Sequence, residues 1–189
     1  MSIQEFFTDK SFVYLIITAV PALIGLYSTY RQWSKRLSLK RADYVHELCN
    51  RIRTNELIRE ALYIIDYGSI WYTSDFHSSG LNNSDNESTS IEAKIDYALT
   101  YFSYICYLYL EQIIFDEDFV FFEYHIHRIL QNKQVINYLY NIHHFSDKFK
   151  VRCSFYYLIK YAKNNNLIKP DFFDKNSCDF GKYPHYLNF

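Results

Sequence analysis

Glycine and proline are scarce, four and three residues in a chain of 189. A β-protein built on tight turns needs more of both, as does a disordered linker protein, so long turn-free stretches favour helices. Four glycines also cannot readily build a phosphate-cradling loop, and the chain contains no G-x-x-x-x-G-K-[ST], G-x-G-x-x-G or G-x-S-x-G. A nucleotide-processing enzyme is thereby disfavoured. Cys49, Cys106, Cys153 and Cys178 are widely spaced and form no C-x-x-C pair, which argues against a disulfide or metal framework and for reduced thiols, at least two of them buried in helices. Nor is there charge of one sign to read, since the formal net charge is −1.

What is present begins with Ser11–Tyr30, a run of 20 residues without a formal charge, followed by Arg31, Lys35, Arg36, Lys40 and Arg41. As a helix rising about 1.5 Å per residue, such a run spans roughly the 30 Å of a bilayer's hydrocarbon core, and the basic flank marks its cytoplasmic end. The leader carries Glu5 and Asp9 against Lys10, where a secretory signal would be basic, so an uncleaved anchor is the favoured reading. Aromatic residues frame the run: Phe6, Phe7, Phe12 and Tyr14 at one end, Tyr27, Tyr30 and Trp33 at the other. Thr18, Ala22, Gly25 and Thr29 recur at helical spacing and would form one face of small residues, the kind that lets two helix backbones approach in lipid. That face is the candidate for membrane-helix association, and the five basic residues are the candidates for lipid-headgroup contact.

The expected organisation is all-α: an N-terminal transmembrane helix followed by a cytosolic bundle of about five helices. In order these are a short leader (1–10), an anchor (11–30), a basic juxtamembrane helix (31–53), a helical cytosolic domain (54–165) with a polar loop at 73–88, and an irregular tail (166–189). Ala42, Val45, Leu48, Cys49 and Ile52 give the juxtamembrane helix its apolar stripe, and a break is expected at Thr54-Asn55. ELIREALYIIDY then repeats the pattern, with Gly68 as its stop. Thr89-x-x-Glu92 fits a capping box, opening a helix striped by Ile91, Ile95, Ala98, Phe102, Ile105, Tyr109 and Ile113. Its uncharged stretch, Tyr97–Leu110, is too short to cross a bilayer and reads as a buried central helix. Asp116 is the expected cap of the next helix, with further helices around Gln134–His144 and Phe149–Asn164. The tail would be pinned by Phe172, Phe173, Phe180 and Tyr186.

Charge is banded along the chain. Arg31–Glu60 holds eight basic and four acidic residues, Asp85–Glu123 nine acidic residues against Lys94, and Tyr124 to the end ten basic against four acidic. The first band suits an anionic inner leaflet. For the others, solvated helix faces are the simpler reading. Lys148–Lys163 interleaves basic and aromatic residues, a pattern that can bind nucleic acid but more often marks an amphipathic helix with one face in the core.

Candidate chemistry is thin. Among His125, His127, His143 and His144, with Glu111 and Glu123, only Glu123 and His127 have the i, i+4 spacing of helical metal ligands, so no metal site is assigned. Asp116, Glu117 and Asp118 read as acids at a helix start rather than as an acid/base cluster. No catalytic residue and no cofactor are expected.

The anchor, the stretch RQWSKRLSLKRADYVHEL, then EALYIIDY and a long helix ending in LEQIIFDEDF resemble a group of small bacterial single-pass membrane proteins with an all-helical cytoplasmic domain. Proteins of this general build include membrane-acting effectors of phage-defence systems, some paired with retron reverse transcriptases. The resemblance implies such a role as one possibility and carries no site residues. The expectation from the residues is a non-enzymatic interaction module at the inner membrane, with the N-terminus outside and the C-terminal domain cytoplasmic. Its expected partners are membrane lipids and either another protein or a second copy, with nucleic acid involved only indirectly. The alternative is a membrane-disrupting effector restrained by a partner.

Overall fold

A computed structural model describes residues 10–68, 70–74, 76, 77 and 91–189, and among these the helical periods of the sequence appear as six long α-helices. Residues 10–13, 15, 16 and 178 are described by their backbone. The helices are α1 (Lys10–Thr54), α2 (Glu56–Tyr67), α3 (Ile91–Leu110), α4 (Asp116–Gln131), α5 (Lys133–Lys148) and α6 (Tyr156–Asn164), and there is no strand among the described residues. The all-α class is as expected. The chain divides into two compact units, Met1–His46 and Glu47–Phe189.

The first unit is the N-terminal part of α1. Residues 1–9 of the leader expected at 1–10, with the expected framing aromatics Phe6 and Phe7, and the side chain of Phe12 lie outside the described residues. Pro21 sits inside the helix, where its missing N–H leaves the Ile17 carbonyl without its usual i+4 donor. Over the described residues, no helix is long and apolar enough to cross a membrane. Residues 11–13, 15 and 16 of the apolar run are among those without described side chains, so the anchor expected at 11–30 is present as a helix and is not itself identified as a span.

In the second unit the central element is α3, as its uncharged sequence suggested. Ile95, Ala98, Leu99, Phe102, Ile105 and Cys106 are fully buried on it, and it packs against α2 and α6. The ends of its expected stripe, Ile91 and Ile113, are exposed instead, Ile113 lying past the end of α3 at Leu110. Phe102, Phe122, Phe155 and Phe172 are buried completely, each contributing roughly 1.5–3 kcal/mol by transfer from water. Two ion pairs tie α2 to its neighbours: Lys94 to Glu60 (2.7 Å) and Arg128 to Asp66.

The break at Thr54-Asn55 is where the sequence placed it. Asn55 is the N-cap of α2, its side-chain oxygen accepting from Ile58 N at 3.2 Å. Gly68 ends α2 without a left-handed turn; its φ is −64°, and its role is to leave room, since a Cβ there would collide with the Ile64 carbonyl.

Three other helix ends use left-handed residues that are not glycine: Gln112 (φ 56°), Lys150 (φ 55°) and Asn166 (φ 55°). Each closes the same way. Ile113 N donates to Leu108 O (2.8 Å), Val151 N to Ser146 O (3.1 Å) and Leu167 N to Ala162 O (2.8 Å), while the left-handed residues' own amides reach back three residues. This corrects the helix expected from Phe149: the cap at Lys150 ends α5, Val151 is exposed, and α6 begins only at Tyr156.

Two more expectations shift locally. Asp116 is the first residue of α4 and not its cap; the cap is Phe115, whose amide donates to the Asp118 carboxylate at 3.1 Å. Thr89 lies outside the described residues, and its expected partner Glu92 binds His77. Most of the polar loop expected at 73–88 is likewise outside them.

The tail has short 3-10 turns at Pro170–Phe173 and Lys175–Cys178. Phe172 is buried, with Tyr183 beside it, whereas Phe180, expected to pin the tail, points to solvent at 74% exposure. Polar contacts hold the tail beside the buried Phe172 and the Tyr186 ring packed on Tyr72. Asn141, fully buried on α5, accepts from Tyr186 N (2.8 Å) and Leu187 N (3.2 Å) and donates to Pro184 O (2.7 Å). Tyr140 donates to the carbonyls of Asp174 (3.0 Å) and Lys175 (2.9 Å). At the other end of α5, Asn132 donates to Ile65 O (2.6 Å), and Gln134 accepts from the amides of Trp71 (2.6 Å) and Tyr72 (2.9 Å). This one helix thus satisfies the backbone of three irregular segments, which would otherwise carry orphaned polar groups.

Candidate functional site

The site residues expected on the N-terminal helix all lie on α1. Thr18, Ala22, Gly25 and Thr29 are exposed, and 3.6 residues per turn puts them on one face. The two hydroxyls turn inward: Thr18 Oγ1 donates to Tyr14 O (3.0 Å) and Thr29 Oγ1 to Gly25 O (2.9 Å). With those bonds made inside the helix, the face presents methyl groups, an alanine and a bare glycine, and a Cβ at Gly25 would meet nothing within 4 Å. Around the rest of the helix the large apolar side chains are also uncovered, among them Ile17 (60%), Leu23 (64%), Ile24 (63%) and Leu26 (68%). Arg31, Lys35, Arg36 and Lys40 follow as exposed cations and Arg41 is half-buried.

In the second unit the histidines singled out from the sequence do not converge. His127 pairs with Glu123 at 3.7 Å as its i, i+4 spacing allows, and His125 on the same helix has its Nδ1 buried with no hydrogen-bond partner. Burial, reinforced by the Arg128 charge, lowers the His125 pKa. His144 donates from Nε2 to the Phe172 carbonyl at 2.8 Å, a contact that fixes its tautomer, and burial lowers its pKa and that of His143. Among the described residues, no three His, Cys, Asp or Glu side chains gather as metal ligands would. Asp116 accepts from the Tyr109 hydroxyl (2.9 Å) and Asp118 caps α4, so two of that acidic trio have structural partners.

A cluster that the sequence did not reveal lies between α3, α5 and the segment after α2. His77 Nδ1 is 2.8 Å from Glu92 Oε1; because a carboxylate only accepts, Nδ1 carries the proton and Nε2 faces the Tyr72 hydroxyl at 3.4 Å. One turn along α3, Asp96 accepts from the Tyr138 hydroxyl. Burial raises the Asp96 pKa against that hydrogen bond, and burial also pushes the Tyr72 and Tyr138 phenols up, so both stay protonated donors. The rings of Trp71, Phe76, Tyr138 and Tyr186 pack around Tyr72 at centroid distances of 4.9–5.8 Å. A carboxylate, an imidazole and a hydroxyl in series can activate a nucleophile. Here Tyr72 is only 3% exposed, and the series joins the segment after α2 to α3 and α5. The i, i+4 pair Glu92 and Asp96 was the one trace of it in the sequence.

Comparison with known protein families, curated proteins and solved structures finds no match for this chain.

Proposed function

We propose that this protein is a membrane-anchored, non-enzymatic interaction module of the inner membrane, with α1 entering the bilayer through the uncharged run and the Glu47–Phe189 unit held in the cytosol. One observation carries the reading: the helix from Tyr14 to Tyr30 is apolar on every side and its described large side chains are uncovered. A helix apolar all round belongs in a protein core or in lipid, and the exposure of its described side chains favours lipid. Thr18 and Thr29 close their hydroxyls onto their own helix, as lipid requires of polar groups. The exposed cations that follow supply the attraction to anionic headgroups, about 1 kcal/mol per nearby Lys or Arg. The expected protein partner or second copy completes the proposal. The test is alkaline carbonate extraction of cell membranes with a C-terminal tag: the protein should stay in the pellet, with the tag digested by protease only in inverted vesicles. Release into the supernatant would overturn the anchor.

A second reading, the restrained membrane-disrupting effector, has its support in the exposed face of Thr18, Ala22, Gly25 and Thr29, where Gly25 leaves space for a close helix partner. It differs in outcome. Induced expression would collapse the membrane potential and stop growth, and Gly25→Leu or Ala22→Leu would relieve both effects; a tether shows neither.

A further inference from the structure

Between α3 and α6 the surface opens into a groove of about 450 Å³ lined by Thr100, Ser103, Tyr104, Tyr107, Ser154 and Tyr157. Every lining residue carries a hydroxyl; none is aliphatic and none is charged. The tyrosines form a continuous aromatic wall. Tyr104 lies nearly parallel to Tyr107 (6.0 Å, 27°), Tyr107 meets Tyr157 edge-on at 4.9 Å, and Tyr157 meets Tyr156 at 5.1 Å. The Arg152 guanidinium sits over the Tyr156 ring at 4.9 Å. Tyr104 and Tyr156 are 44% and 37% exposed, so part of the ring surface that pattern alone would assign to a core faces water.

On the α6 side of this wall the charge has one sign, while Glu111 stands one turn beyond Tyr107 on the other side. From Lys148 to Pro170 the chain holds six Lys and Arg residues and no Asp or Glu. Lys150 and Arg152 are exposed on the turn that leads to Ser154, and Lys160 lies one turn beyond Tyr156 on α6. Tyrosine rings, exposed at Tyr104 and partly exposed at Tyr107 and Tyr157, beside a cationic stretch are the combination that holds a single-stranded polyanion of flat bases. A folded protein partner would leave the ring hydroxyls to be matched one by one, and a neutral glycan would make no use of the cations.

We propose that the groove is a binding site for single-stranded nucleic acid, with Tyr104, Tyr107 and Tyr157 stacking bases and Arg152 and Lys160 tracking phosphates. Because the turn before α6 supplies Arg152, α6 supplies Lys160 and Tyr157, and α3 supplies the other two rings, the strand would run along the seam of the two helices. Stacking reads no base identity, so the site would be tolerant of sequence. The groove's volume is within the range of about 300–1,000 Å³ usual for small-ligand sites, so it would seat a short stretch of strand rather than a duplex.

The experiment is fluorescence anisotropy of a labelled twelve-nucleotide oligothymidylate against the full-length protein in mild detergent, in salt from 50 to 200 mM. The expected result is binding that weakens with salt and is reduced about 5- to 150-fold by Tyr104→Ala, the loss expected for one stacked base. Tyr104→Phe, which keeps the ring, should leave binding unchanged. Arg152→Gln should reduce the slope of log K against log salt by about 0.7, one phosphate contact. Three results overturn the proposal: no binding at 50 mM salt; binding insensitive to Tyr104→Ala but lost on neutralising Arg31, Lys35 and Arg36, which assigns it to the basic helix; or Tyr104-dependent binding of maltohexaose in place of the oligonucleotide. Tyr104 lies on the surface, so its replacement spares the core, and Arg152→Gln gives an independent readout.

Discussion

Asn141 gives the sharpest test of how the tail is held. Replacing it with leucine, which has the same heavy-atom branching, removes three hydrogen bonds to the C-terminal segment: the amides of Tyr186 (2.8 Å) and Leu187 (3.2 Å) and the carbonyl of Pro184 (2.7 Å). A fourth bond, from Nδ2 to Asn137 O at 2.9 Å, is internal to α5, where that carbonyl keeps the helix ladder. At about 1 kcal/mol for each of the three, and with the tail free to hydrate its released groups, the cost is about 3 kcal/mol. Without that release the cost would be larger, since three buried polar groups would be orphaned at 1–3 kcal/mol each. Urea unfolding of the full-length protein in micelles, followed by far-UV circular dichroism, measures the loss. Hydrogen exchange locates it: the Tyr186 and Leu187 amides should exchange faster in Asn141→Leu while those of α3 slow or speed only with global stability. Asn141→Asp should be no milder, because it keeps two acceptor contacts but turns an acceptor toward Pro184 O. A loss under 1 kcal/mol with unchanged exchange at Tyr186 and Leu187 would refute the clamp.

The left-handed helix ends should respond to glycine. Gln112→Gly and Lys150→Gly each relieve a side chain held at positive φ and should stabilise the protein by about 1 kcal/mol, with Asn166→Gly gaining less because asparagine tolerates that region; a fall in the urea midpoint for the first two would contradict the capping geometry. Acid should destabilise the fold through its buried imidazoles. His125, His143 and His144 have lowered pKa values, so the unfolded chain takes up protons near pH 6.5 before the folded one does, and stability falls as pH drops from about 6.5 toward the folded values. Asp96 acts with the opposite sign, since its raised value makes the folded chain bind its proton first. The histidine share is therefore read as a difference: His143→Gln should narrow the gap between urea midpoints at pH 7.5 and 5.5, and an unchanged gap would remove His143 from the account.

Periodicity carried much of the architecture because it reports which face of a helix leaves water. The bounds of α2 and the break at Asn55 were legible from the apolar spacing in ELIREALYIIDY and from a residue type that caps well. The central role of α3 was legible from its uncharged stretch, Tyr97–Leu110. The start of α6 was not: Val151 fits the apolar period, but the turn at Lys150 points it to solvent, and nothing about a lysine announces a left-handed turn. The apolar faces also misassigned Phe180, since a ring near a chain end is drawn in only if a pocket is there to receive it.

By itself, then, the sequence determined what depends on neighbours along the chain: helices, their apolar faces, the uncharged run and the cations after it. Tertiary structure decided what depends on neighbours in space. His77 meets Glu92, Asn141 meets the backbone of Tyr186, and Tyr104 and Tyr107 on α3 line up with Tyr157 on α6. Those pairings are 15 to 53 residues apart in the chain, and a hydrogen bond or a stacked ring is set by a few tenths of an ångström between elements that no local period encodes.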